Sequence, residues 1–108
     1  MTIEQYAGKI MQIVADQYSV SIEDIISTSR LQEVVDARDT TIYLLHKYLS
    51  LSTIKIGKIV HRDCGLVSYS LKKVNGRLEG STDKLGLDKV FKAQVNFCER
   101  ALKTIIEF

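Results

Sequence analysis

At 108 residues, with 45% apolar side chains, the chain is long enough for one domain with a buried core. No run reaches 18 apolar residues, which argues against a membrane-spanning helix, and the Met1-Thr2-Ile3-Glu4 start has neither the basic residues nor the apolar run of a secretion signal. The net charge is only +2, yet residues 44–77 carry seven cations against Asp63 alone, while residues 1–43 hold Lys9, Arg30 and Arg38 against seven acids and residues 78–108 balance. Such a central basic block has two readings, a surface that meets phosphate and a solvated lysine face.

In chain order, Ile3, Ala7, Ile10 and Val14 fall on one stripe, which predicts an amphipathic helix over 2–18. Ser21 caps a short helix near 22–27, with Asp24 in its first turn and Val20 and Ile25 spaced as a hydrophobic staple. Ser27-Thr28-Ser29 ends it, because these side chains compete for backbone hydrogen bonds. Leu31, Val34, Val35, Arg38, Ile42, Leu45 and Leu49 form the stripe of a longer helix, with Arg38 a basic interruption on its apolar face. Ser52, with the staple pair Leu51 and Ile56, starts a helix over 53–60. After a tight connection at His61 and Arg62, Asp63 caps a helix whose inner stripe is Val67, Leu71 and Val74 and which Asn75-Gly76 ends. Residues 76–86, with three of the six glycines, read as a loop. Leu87, Val90, Phe91, Cys98, Leu102 and Ile105 then form a last amphipathic helix. Proline is absent and no strand pattern is convincing, so the expected class is all-α, a multi-helix domain.

The helices over 53–60 and 64–75, joined by about three residues, make a helix-turn-helix pattern. The second is the candidate recognition helix, and its core face leaves Cys64, Gly65, Ser68, Tyr69, Lys72 and Lys73 pointing outward. Its N-terminus offers free N–H groups and a positive dipole end, both suited to phosphate, and the lysines supply contacts that release counterions from a duplex. Helix-turn-helix spacing also occurs in ordinary bundles; the charge block centred on this one turns the reading toward double-stranded DNA.

The segments "VSIEDIIS" and "SRLQEVVDARDTTIYLLHKYLSLSTIKIGKIVHRDCGLVSYSLKKV" resemble the C-terminal DNA-binding domain of the bacterial replication initiator DnaA, a Trp-repressor-like helix-turn-helix. The residues that carry the likeness are Val34 to Arg38, Leu51-Ser52, Ile56-Gly57, Arg62-Asp63, Val67 and Lys72-Lys73-Val74. It covers about residues 2–75, which gives a helix-turn-helix domain over 1–75 and a loop and C-terminal amphipathic helix over 76–108, packed on the same domain. The resemblance implies that Arg30, in place of the basic-loop arginine, enters the minor groove, where a narrow A·T-rich groove concentrates negative potential. It also implies that the Arg62-Asp63 run reads base edges and touches phosphate. Here the family's histidine is replaced by Cys64, its two threonines by Gly65 and Leu66, and its paired glycines by the single His61. Each well-aligned base contact is worth roughly 1–3 kcal/mol of discrimination, so an altered sequence preference is expected.

Several candidates keep two readings. Asp63 either caps its helix or accepts from a cytosine amino group, and Arg62 either meets phosphate or pairs with Asp63. Lys55 and Lys58 are backbone contacts or plain solubility; Tyr69 touches phosphate or packs on the last helix. Arg38 is expected to hold a loop by hydrogen bonds rather than to touch DNA. Cys64 beside His61 and Asp63 lacks the three or four ligands of a metal site, Cys98 is expected in the core, and the lack of a CxxC pair suits a reduced, cytoplasmic setting. No GxxxxGK[ST] loop, paired carboxylates or nucleophile–base pair is visible, so neither ATPase nor other enzymatic activity is expected of these residues, and no cofactor. A second class of function is a protein-interaction module that keeps the fold without specific DNA reading. Leu66 at the reading position supports it, as do Phe91, Phe97 and Phe108, which do not all fit one buried stripe and suggest a homodimer face on the last helix.

Overall fold

The computed structural model describes residues 2–80 and 86–105, with six helices and no strand among them. They are α1 (Ile3–Tyr18), α2 (Ile22–Ile25), α3 (Gln32–Leu49), α4 (Thr53–Val60), α5 (Cys64–Glu79) and α6 (Leu87–Ile105). Their starts follow from capping chemistry. Thr2 and Gln5 form a reciprocal capping box on α1, and Ser21 and Asp24 do the same on α2. The Ser52 hydroxyl accepts from Lys55 N–H, and Asp63 Oδ1 accepts from Leu66 N–H at 2.9 Å. The chain turns off α1, α3 and α4 through the left-handed residues Ser19, Ser50 and His61.

The central helix is α3, which packs against α1, α4 and α5; α6 lies against α1 and α5. Ile10, Val14, Ile25, Ile42, Leu45, Ile56, Val60, Val67, Cys98 and Leu102 share one buried cluster, so every helix contributes to the same core. A satellite cluster of Val74, Phe91 and Val95 joins the second half of α5 to α6.

That satellite explains a departure from the sequence pattern. Asn75-Gly76 does not end α5, which continues to Glu79 and stops at the left-handed Gly80. A mid-helix glycine costs only about 1 kcal/mol. Val74 and Leu78 on the apolar side, with Arg77 hydrogen-bonded to Asp36 and Asp88 and stacked on Phe91 at 3.9 Å, carry the helix past it. The apolar stripes are also narrower than the pattern suggests. Ile3, Leu31, Leu87, Val90 and Ile105 are exposed, and the buried stripe of α6 is Phe91, Val95, Cys98 and Leu102. Phe97 is exposed, and Phe108 lies outside the described residues. No described helix is long and apolar enough to cross a membrane.

Candidate nucleic-acid interface

α4 and α5 meet through a turn of His61, Arg62 and Asp63, and Gly57 makes that turn possible. The Arg62 N–H donates to Gly57 O at 2.9 Å, and a Cβ on Gly57 would overlap the Arg62 carbonyl. His61 occupies a left-handed conformation with φ 59°, ordinarily a glycine's role, which lets the connection close without a second residue. Asp63 then caps α5, as one of its two readings has it. Its carboxylate binds Leu66 N–H, so the remaining free N–H groups of the first turn belong to Cys64 and Gly65.

The first turn of α5 is open to solvent: Cys64, Gly65 and Leu66 are exposed, as are Tyr69 and Lys72 one and two turns on. Ser68 is half-buried. Tyr69 is 63% exposed and does not pack on α6; the Lys73 ammonium lies 5.6 Å from its ring centre. Lys55 and Lys58 stand exposed on α4. Across an open groove from α5 runs the loop 26–31, with Arg30 exposed upon it. Thr28, Ser29 and Arg30 line one wall, and Leu66, Tyr69 and Lys73 the other. The sequence-selected Arg30 and the outer face of α5 therefore border a common space.

Arg38 fixes that loop. Buried on α3, its guanidinium donates to the carbonyls of Ile25 (2.7 Å), Ser27 (2.8 Å), Asp24 and Ser29 (both 3.3 Å). The guanidinium fills acceptor sites at the end of α2 and in the loop that follows it, which is why an arginine sits on an otherwise apolar face. Burial holds its acidity above that of a free arginine, and the Arg62 charge adds to this, partly offset by Asp39. The loop also knits itself: Ser27 Oγ donates to Asp24 O and accepts from Ser29 N–H.

The structure redistributes the basic block. Lys73 pairs with the buried Asp39 at 2.8 Å, Arg77 with Asp36 and Asp88, and Lys47 with Glu99 at 3.1 Å. Arg62 donates to His61 O at 3.0 Å and Ser27 O at 2.6 Å, not to Asp63. Lys55, Lys58 and Lys72 are the members of the block that remain exposed without an ion pair among the described residues. Asp39, Val35 and Ser70 line the groove as well; the sequence marked Val35 as part of a helix stripe, not as a site residue, and did not single out Asp39 or Ser70. The one local signal for Asp39 is its place beside Arg38 on the buried side of a helix. Cys98 is buried, its thiol pushed up to about 12 by burial, whereas Cys64 is exposed. No group of three His, Cys, Asp or Glu side chains able to hold a metal occurs among the described residues.

Two helices around a glycine-tight turn, the second capped and with its first turn open, and an arginine loop across the groove define a helix-turn-helix DNA-binding domain of the all-α class. Residues 7–74 match the family described as bacterial dnaA protein helix-turn-helix. Similar proteins include the chromosomal replication initiator protein DnaA of Bacteroides thetaiotaomicron, 36% identical over 95 residues, 87% of this chain and 19% of that protein. The DnaA of Desulfotalea psychrophila is 32% identical over 96 residues, 89% of this chain and 19% of its own length. The DnaA of Gloeobacter violaceus is 39% identical over 66 residues, 60% of this chain and 15% of that protein. The chain belongs to the bacterial DnaA helix-turn-helix family. It spans about a fifth of the length of the first two of these relatives.

Proposed function

We propose that the chain binds double-stranded DNA with α5 in the major groove and Arg30 in the adjacent minor groove, in the service of replication or transcription control in the bacterial cytoplasm. The observation that carries the reading is the shared groove, with Arg30 held on an arginine-braced loop opposite the open face of α5. Lys55, Lys58 and Lys72 supply phosphate contacts. His61, Asp63, Cys64, Gly65, Leu66, Ser68, Tyr69 and Lys73 complete the candidate surface, and Arg62 borders it from the turn. Leu66, 49% exposed, and the small Gly65 offer a major groove apolar contact and little hydrogen bonding, so base preference differs from that of relatives with polar readers there. The residues carry no ATPase activity in this reading. The test is anisotropy of labelled random, A·T-rich and G·C-rich duplexes at two salt concentrations. Lys72→Ala is expected to lower affinity for all three alike and to reduce the salt slope by about 0.9, while Arg30→Ala acts mainly on A·T-rich DNA. No duplex binding at low salt overturns the reading.

A second reading is a protein-interaction module, favoured by one observation: Leu87, Val90, Phe97 and Ile105 of α6 are all exposed, on an apolar flank beside the buried stripe. A homodimer through that flank gives twice the monomer mass in light scattering, and Phe97→Glu then returns it to one; a monomer at every concentration refutes it.

A further inference from the structure

Two cations from different parts of the chain converge on one backbone carbonyl. Ser27 O accepts from Arg38 Nη2 at 2.8 Å and from Arg62 Nη2 at 2.6 Å. Arg38 comes from α3 and Arg62 from the turn between α4 and α5, whereas Ser27 lies three residues before Arg30. Like charges held this close repel, and the Arg62 charge adds to burial in lowering the pKa of Arg38. The arrangement persists because the loop carbonyls and the neighbouring Asp39 offset that repulsion. Arg62 is fixed by more than its side chain: its N–H bonds Gly57 O, its own carbonyl presses on Gly57, and its other Nη reaches His61 O. A guanidinium with both ends committed to carbonyls, on a residue that is half-buried, is poorly placed to follow a phosphate.

We infer that Arg62 is a positioning residue: it latches the recognition turn to the loop 26–31 and so sets the distance between Arg30 and α5, and it does not itself contact DNA. The inference rests on the DNA-binding reading above. Arg38 braces the loop from within, and Arg62 makes the hydrogen bond, among the described residues, that ties it to the turn leading into α5. Without the latch, Arg30 and α5 no longer meet the two grooves in register, and the contribution of Arg30 is lost although its side chain is intact.

The experiment is a double-mutant cycle with the full chain, Arg30→Ala, Arg62→Ala and the two together, titrated into A·T-rich and G·C-rich duplexes at several salt concentrations. Far-UV circular dichroism confirms that each variant is folded at the assay temperature. Each single substitution is expected to lower the A·T preference by about tenfold. In the Arg30→Ala background, Arg62→Ala is expected to change neither affinity nor salt slope. A further slope loss of about 0.9 there, with affinity falling equally on both duplexes, marks a direct phosphate contact and overturns the inference. Arg62→Lys provides a second variant, keeping a charge for phosphate but not the fork that spans Ser27 O and His61 O. It is expected to lose preference as well, and full retention counts against the latch. If the unmodified chain binds no duplex, the reading beneath falls first; if it binds and the losses add, the inference alone falls.

Discussion

Lys73→Met removes the ammonium 2.8 Å from Asp39 Oδ2 while keeping most of the side-chain stem. The Asp39 side chain is 4% exposed and that of Lys73 33% exposed, so the pair lies between surface and interior. At this separation the attraction is about 1.5 kcal/mol in bulk water and about 6 kcal/mol at an effective dielectric of 20. Breaking a fully buried pair costs about 3–5 kcal/mol, mainly because the remaining charge is stranded, and the one-third exposure of Lys73 reduces this to about 2–3 kcal/mol. For a domain of this size that corresponds to a fall in Tm of roughly 10–20 °C. Urea unfolding followed by circular dichroism measures it. Adding Asp39→Asn to Lys73→Met is expected to recover at least half of the loss, since the stranded charge is then gone. A loss under about 0.5 kcal/mol for Lys73→Met, or a double variant no more stable than the single, refutes the reasoning and returns Lys73 to the pool of free surface cations.

Gly57→Ala gains about 1 kcal/mol of helix propensity but drives a methyl into the Arg62 carbonyl, so it is expected to destabilise by about 1–3 kcal/mol net in the same assay. Stability equal to the parent would mean that the turn shifts freely. Cys64 should react with iodoacetamide in the native protein and Cys98 only after unfolding, giving one and then two labels by mass spectrometry. Because burial keeps the Cys98 thiol neutral to about 12, the unfolded chain loses its proton first. Stability therefore declines above about pH 9, by at most about 1.4 kcal/mol per unit from this group, and Cys98→Ala flattens that slope. A slope unchanged by Cys98→Ala assigns the decline to other groups, among them Tyr18 and Tyr48, whose phenols burial also pushes up.

What the sequence by itself determined is local. Helix caps act over three residues and apolar stripes over three to four, so Ser21, Ser52 and Asp63 mark their helix starts and the positions of α4 and the first turn of α5 follow. Separated runs, from Val34 to Arg38 through Leu51-Ser52 and Ile56-Gly57 to Arg62-Asp63, carried the resemblance to the family, and Arg38 on an apolar face already implied a loop held by hydrogen bonds. The end of α5 was not legible, because Gly76 is a plausible terminator until Phe91 and Val95 of α6 pack with Val74 and Leu78 on either side of it in sequence. Nor was the fate of the basic block. Its cations find partners far along the chain, Arg62 at Ser27 across 35 residues and Arg77 at Asp36 across 41, and the acid that binds Lys73, Asp39, lies in the acidic segment 1–43. Counting charges along a chain cannot reveal such pairs, since only the packing of α5 on α3, and of the α4–α5 turn on the loop 26–31, brings them within hydrogen-bond distance. The tertiary structure thus decided which cations face outward, Lys55, Lys58 and Lys72, and which hold the loop and the helices in place.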